Sequence, residues 1–269
     1  MNRFRESLQI QSEPETPAIK PGYTGFAMKR NLMILATLAI AGTAHAGMSG
    51  FVSKLTLSTN IVNSDTSSQD FKALIDSIRK GDDNVLAAYF RYSYASQKQA
   101  GFARDITKNN WILGATYDKV INSKIDWYVD GSIERDRIVD LDLRQIYSAG
   151  LAYKLVDAET VKFKVKGGLS LVDENFSGTV SDSSKIGLSF GTQWYQLLGE
   201  KFTLNHTAKF IPSPDDFSDY LLKSDLGLDY AMTDRLSMSL RFLLDYDRSP
   251  AAGFRKDRTE WVLGVGYKF

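Results

Sequence analysis

From residue 47 onward the chain alternates. Apolar side chains fall on every second position in twelve segments: 51–60, 70–80, 84–97, 107–119, 123–135, 143–155, 160–172, 184–198, 201–211, 218–231, 235–247 and 258–269. In segment 160–172, Val161, Phe163, Val165, Leu169 and Leu171 share one parity, while Lys162, Lys164, Lys166 and Ser170 hold the other. A period of two is the side-chain period of a β-strand, so each segment predicts a strand with one apolar and one polar face. Nothing interrupts the pattern early, because there is no proline between residues 22 and 211. Segment 70–80 (FKALIDSIRK) is the least regular, and its apolar residues also fit a short amphipathic helix.

The connections alternate too. Those after even segments are short, such as Gly81–Asp83 and Gly199-Glu200, and most of those after odd segments are longer and polar, such as 61–69, 98–106, 136–142, 173–183 and 247–257. An even number of long strands with short turns at one end and long loops at the other is the pattern of a transmembrane antiparallel β-barrel, with both termini at the periplasmic end. The competing fold is a soluble sandwich or barrel. Aromatic residues on the apolar parity, among them Tyr117, Trp127, Tyr153, Trp194, Tyr230, Tyr246, Trp261 and Tyr267, favour the membrane barrel, whose outer face carries aromatic girdles.

The front of the chain reads as an address. In residues 28–46, Lys29 and Arg30 precede the apolar run from Leu32 to Ala41, and Ala44-His45-Ala46 makes a small-residue cleavage site. These parts in this order predict a secretory signal peptide. Residues 1–27 form an upstream extension, most simply a start codon assigned too early, and 47–269 form the barrel. The expected route is export through the Sec machinery to the outer membrane of a Gram-negative cell.

Several functions are disfavoured by composition. The formal net charge of +1 argues against a nucleic-acid binder. The chain has no cysteine, so thiolate metal sites are excluded, and no cofactor motif is present. A phospholipase-like membrane enzyme needs a serine beside a histidine. The segment's His206 has Leu204 and Ala208 at the flanking outward positions, so an enzyme is not expected. Paired acids on loops (Asp215, Asp216 and Asp219; Asp173 and Glu174) would suit a divalent cation or lipopolysaccharide, but solvated loop is the ordinary reading.

The final third, from Asp219 to Phe269, resembles the DUF481 family, described as salt-induced outer-membrane proteins. The resemblance rests on Thr233-Asp234, Leu236, Tyr246-Asp247, Pro250, Asp257 and the terminal Tyr267-Lys268-Phe269. One departure is that the family's Gly-Asn-Thr-Asp after the first strand is represented by Asn63-Ser64-Asp65-Thr66. The resemblance implies a porin-like barrel in the outer membrane and supplies no catalytic or ligand residues.

By parity, the interior receives Arg91, Asp126, Asp130, Glu134, Lys162, Lys164, Lys166, Lys209, Lys223, Asp225, Asp229, Arg241 and Asp245. Facing lipid, each lysine or arginine near the midplane would cost about 2–4 kcal/mol, so these side chains must point inward. Two readings follow: a solvated narrow channel, slightly favoured, or charges that pair and plug the lumen as an envelope component. The last strand, with Trp261, Leu263, Val265, Tyr267 and Phe269 on its outward parity, is expected to pair with the first and to serve as the C-terminal assembly signal. Expected partners are outer-membrane lipids, lipopolysaccharide, the barrel assembly machinery and periplasmic chaperones.

Overall fold

The computed structural model describes residues 50–62, 66–177, 182–250 and 255–269. The expected extension and signal peptide lie outside them. Twelve antiparallel strands run in chain order: β1 (Val52–Val62), β2 (Thr66–Lys80), β3 (Asn84–Gln99), β4 (Asp105–Val120), β5 (Ile125–Asp136), β6 (Leu141–Asp157), β7 (Val161–Phe176), β8 (Ser183–Leu198), β9 (Phe202–Pro212), β10 (Tyr220–Ala231), β11 (Leu236–Asp247) and β12 (Asp257–Lys268). Each pairs with its sequence neighbours, and β12 pairs with β1, so the sheet closes into a barrel. Closure is what lets strands span hydrocarbon, since it removes free strand edges, and the shortest ladder in the ring is β1–β12.

All twelve expected segments are strands, including 70–80, which is β2 and not a helix. Alternation decided the matter there: Asp70, Lys72, Leu74 and Asp76 point inward, and both neighbouring strands supply ladder partners along β2. Strands overrun the expected boundaries mainly at the long-loop end. Within the stretch 61–69, β1 runs to Val62 and β2 begins at Thr66, and β7 continues through Asp173 and Glu174 to Phe176. Polar residues are tolerated in these extensions because the hairpins rise above the apolar band. The wall is consequently uneven: β6 has 17 residues and β7 and β8 have 16 each, whereas β9, β10, β11, β12 and β1 have 11 or 12.

The outward face is apolar and open, with Trp261 67% and Leu263 62% exposed. Aromatic pairs ring it at two heights. Phe202–Tyr230 and Tyr117–Trp127 lie near the short turns, while Phe210–Tyr220, Tyr220–Tyr246 and Phe242–Trp261 lie toward the long loops. Along β9, Phe202 and Phe210 are about 20 Å apart on the barrel axis, at ~3.3 Å per residue and ~40° of tilt. That height suits the apolar band of a membrane-spanning barrel.

Two close approaches depend on glycine. The Tyr89 ring lies flat across Gly114 on the inner wall, and a Cβ at Gly114 would stand 2.4 Å from it. Gly150 and Gly168 face each other across β6 and β7, where a Cβ on Gly150 would meet the Gly167 carbonyl at 2.1 Å.

Candidate functional site: the charged interior

The inward parity that keeps strands out of lipid also gathers the charges. They form three tiers, described here from the short-turn end upward.

In the lowest tier, Asp118 on β4 and Asp126 on β5 face three lysines. Lys164 lies 3.1 Å from Asp118 and 2.8 Å from Asp126, Lys166 is 3.0 Å from Asp118, and Lys154 is 2.8 Å from Asp126. The Lys166 ammonium also sits 4.6 Å from the centre of the buried Tyr128 ring. On the opposite wall, Lys54 donates to Asp229 at 2.7 Å.

The middle tier is a ring of four. Arg91 contacts Asp76 at 2.5 Å and Asp225 at 3.5 Å, and Arg241 contacts the same two acids at 3.0 and 3.3 Å. These residues come from β3, β2, β10 and β11. Beside the ring, Lys209 on β9 reaches Asp130 on β5 in a short contact.

The upper tier is the densest. Glu134 on β5 accepts from Lys223 on β10 at 2.9 Å and from Arg144 on β6 at 2.8 Å. Lys223 also donates to Asp245 at 3.0 Å, and Arg258 on β12 bonds Asp245 at 2.6 Å and Asp136 on β5. Arg144 continues to Asp247 at 2.9 Å and to Glu174. Here three cations meet five carboxylates, a formal excess of two negative charges.

Several of these pairs join strands five places apart around the ring of twelve: Glu134–Lys223, Arg144–Asp247 and Arg258–Asp136. A round twelve-stranded barrel is about 24 Å across at its backbone, taking ~4.8 Å between strands and ~40° of tilt. An extended Lys–Glu pair covers little more than half of that. The wall is therefore drawn in to an oval section, and the ion pairs bar the lumen from side to side.

Above the upper tier, a cavity of about 350 Å³ opens at the long-loop end. Arg144, Asp245 and Arg258 form part of its lining, and Leu141, Phe176 and Pro250 give it an apolar side.

Of the thirteen residues expected inside, twelve take part in these tiers. The other, Lys162, pairs at 2.6 Å with Asp157 beside the 158–160 turn, where both are exposed. Sequence reading missed Arg144, Arg258, Asp76 and Asp118, among others. Arg144 has the parity of Ile146 and Ser148, so alternation alone marks it. Asp76 was hidden because its segment also fitted a helix.

The outward face adds one arrangement that linear spacing concealed. His206 Nε2 shares a 3.0 Å hydrogen bond with Ser224 Oγ, on the adjacent strand β10. The serine sought at positions 204 and 208 comes instead from across the ladder. Among the described residues no carboxylate bonds the imidazole, so the pair has no orienting acid. Two of the loop acids are engaged: Asp219 pairs with Lys185 at 2.8 Å, and Asp216 accepts from the Ser218 amide. The Ser218 hydrogen bonds hold the Asp216 carboxyl below the usual carboxylate range.

A closed twelve-stranded barrel with an apolar outer belt and a charged interior defines a membrane-spanning, porin-like barrel protein. The chain matches the family described as "Protein of unknown function, DUF481" over residues 55–269, and it belongs to that family. No curated protein matches it. Among solved structures, the translocator domain of the autotransporter NalP from Neisseria meningitidis is 14% identical, with 89% of this chain and 95% of that chain covered and a TM-score of 0.44. The NanC porin is 9% identical over 81% of this chain and all of that one, with a TM-score of 0.46. The KdgM porin in complex with disordered oligogalacturonate is 10% identical over 81% and 99%, with a TM-score of 0.42.

Proposed function

We propose that the protein is a narrow outer-membrane conduit for small polar solutes, barred at rest by the trans-lumen ion pairs. The outer membrane is its place, with the short turns and both termini in the periplasm, and assembly follows recognition of the C-terminal aromatic strand. The observation that carries the reading is the upper tier. A purely structural plug is best served by apolar packing, since buried ion pairs often contribute little net stability. Here a set of charge contacts, each cation shared among two or three carboxylates, lies beneath an open vestibule. A polar solute that offers its own charges can exchange partners with Arg144, Lys223 or Arg258 and part the bars. Charge balance shifts along the path, from two net negatives in the upper tier to one net positive in the lowest, where four lysines meet three aspartates. The vestibule lining above the upper tier is one positive charge in excess, so the sign alternates along the path and weak ion selectivity is the electrostatic expectation.

The test is conductance in planar bilayers. The wild-type barrel should show small, infrequent openings. The double variant Glu134→Gln/Lys223→Gln, which keeps hydrogen-bonding groups but removes one bar's charge, should open more often and to a larger level. No open level in either protein would sink the conduit reading and leave the charges as a structural plug.

A further inference from the structure

The barrel's closing seam is only half bonded. Phe269 and Ser53 exchange backbone hydrogen bonds of 2.9 and 3.1 Å, and the ladder continues from Lys54↔Lys268 to Leu57↔Val265. There it stops, although β1 runs on to Val62 and β12 begins at Asp257. Every other neighbouring pair keeps at least nine positions in register. By the alternation of the ladder, Thr59 and Ile61 on one side and Leu263 and Trp261 on the other aim backbone groups into the gap without ladder partners.

One side chain crosses it. Lys72 on β2, itself buried, donates to the Trp261 carbonyl at 3.3 Å, taking an acceptor that β1 would otherwise use. Lys72 also stands 3.6 Å from Glu260, and Glu260 pairs with Lys108 at 2.8 Å. Glu260 Oε2 is buried with no hydrogen-bond partner. Lys108 in turn lines the vestibule cavity. A chain of ion pairs, Lys72–Glu260–Lys108, therefore runs from the open half of the seam to the lining of a cavity with an apolar side and a charged side. Outside, the gap is flanked by the exposed apolar side chains of Ile61, Trp261 and Leu263.

We infer that the upper half of the β1–β12 seam is a lateral portal. Through it the hydrocarbon chain of a single-chain amphiphile passes between the membrane and the vestibule. The apolar side of the cavity, with Leu141 and Phe176, receives the chain. The head stays among the charged groups, where five basic side chains line the cavity against four acidic ones, which suits a carboxylate or phosphate. A closed, dry membrane wall has no use for a half-bonded seam, because unpaired backbone groups in hydrocarbon are costly. A polar latch, linked by ion pairs to the cavity lining, gives those groups a role. The inference is independent of ion conduction, which runs along the barrel axis and not through its wall.

The natural chain lacks cysteine, so engineered pairs report cleanly. Thr59→Cys/Leu263→Cys, joined by a short bis-methanethiosulfonate that forms a disulfide with each thiol and releases methanesulfinate, tethers the open half. Leu55→Cys/Tyr267→Cys, joined as a disulfide, locks the half already bonded. Refolded full-length barrel in vesicles is exposed to a diazirine-bearing fatty acid, supplied either within the bilayer or from the aqueous phase, and photolabelled residues are read by mass spectrometry. Bilayer-supplied probe should label Leu141 and Phe176. The upper tether should cut that labelling at least tenfold, the lower lock should leave it unchanged, and Lys72→Met should raise it. Labelling confined to outward residues, cavity labelling from the aqueous phase alone, or cavity labelling indifferent to the upper tether would each overturn the portal. Conductance measured on the same tethered protein separates this result from the conduit reading.

Discussion

Tyr89 and Gly114 show how tightly single positions are set on the inner wall. The ring occupies the space that a side chain on β4 would need, so Gly114→Val forces it off its rotamer. Overpacking of this kind costs about 1–3 kcal/mol, and the expected result is a lower fraction of heat-modifiable, folded barrel on a gel. Tyr89→Ala combined with Gly114→Val should recover much of the loss, and failure to recover would mean the glycine serves the backbone instead. Charge at single positions is the second handle. Lys164 bridges Asp118 and Asp126, so Lys164→Glu puts three carboxylates together in the lowest tier. In a conducting barrel this should shift the reversal potential toward cation preference, and an unchanged potential alongside normal conductance would place that tier away from the path. Alternation in the sequence already identified Lys164, Lys223 and Glu134 as inward. It did not reveal their partners, because contacts such as Arg144–Asp247, 103 residues apart, depend on how the closed wall is pressed together.

Among the elements, β12 carries the most information per residue. Its expected pairing with the first strand is what the structure shows, with Phe269 as the last bonded position. Since the seam holds only a few bonded positions, each weighs more there than in any other ladder. Removing Phe269 takes away two backbone hydrogen bonds at the end where the seam is actually joined. The expected outcome is a marked fall in assembled barrel, measured by heat-modifiable mobility in membrane fractions, with the exported but unassembled chain still present. Equal yields with and without Phe269 would argue against both the closing and the sorting role of the residue. β2 is the opposite case, an element whose identity the sequence left open. Its apolar side chains fit two periods, and only the neighbouring strands, which demand partners along its full length, select the extended form. The half-bonded state of the seam was not legible at all. Sequence alternation in β1 and β12 continues through the gap, because alternation records which face sees lipid and is silent on whether two edges touch.

At the scale of the whole molecule, the fold followed from two statistics of the sequence, the period of two and the alternation of connection lengths. Both are consequences of a membrane with two surfaces and a barrel with two faces. The oval section and the tiers of charge were out of reach, since they depend on which inward side chains meet across the lumen. The uneven height of the wall has its own consequence for life in a crowded membrane. From β9 through β12 to β1 the strands have 11 or 12 residues, while β2 to β4 and β6 to β8 have 15 to 17. A neighbour in the membrane that stands against the low sector meets little besides the apolar belt, whereas against the tall sectors it also meets the strand ends above that belt. The seam lies at the edge of that low sector, so access to the inferred portal depends on which neighbours stand there, and the protein's orientation among them becomes a variable in its own right.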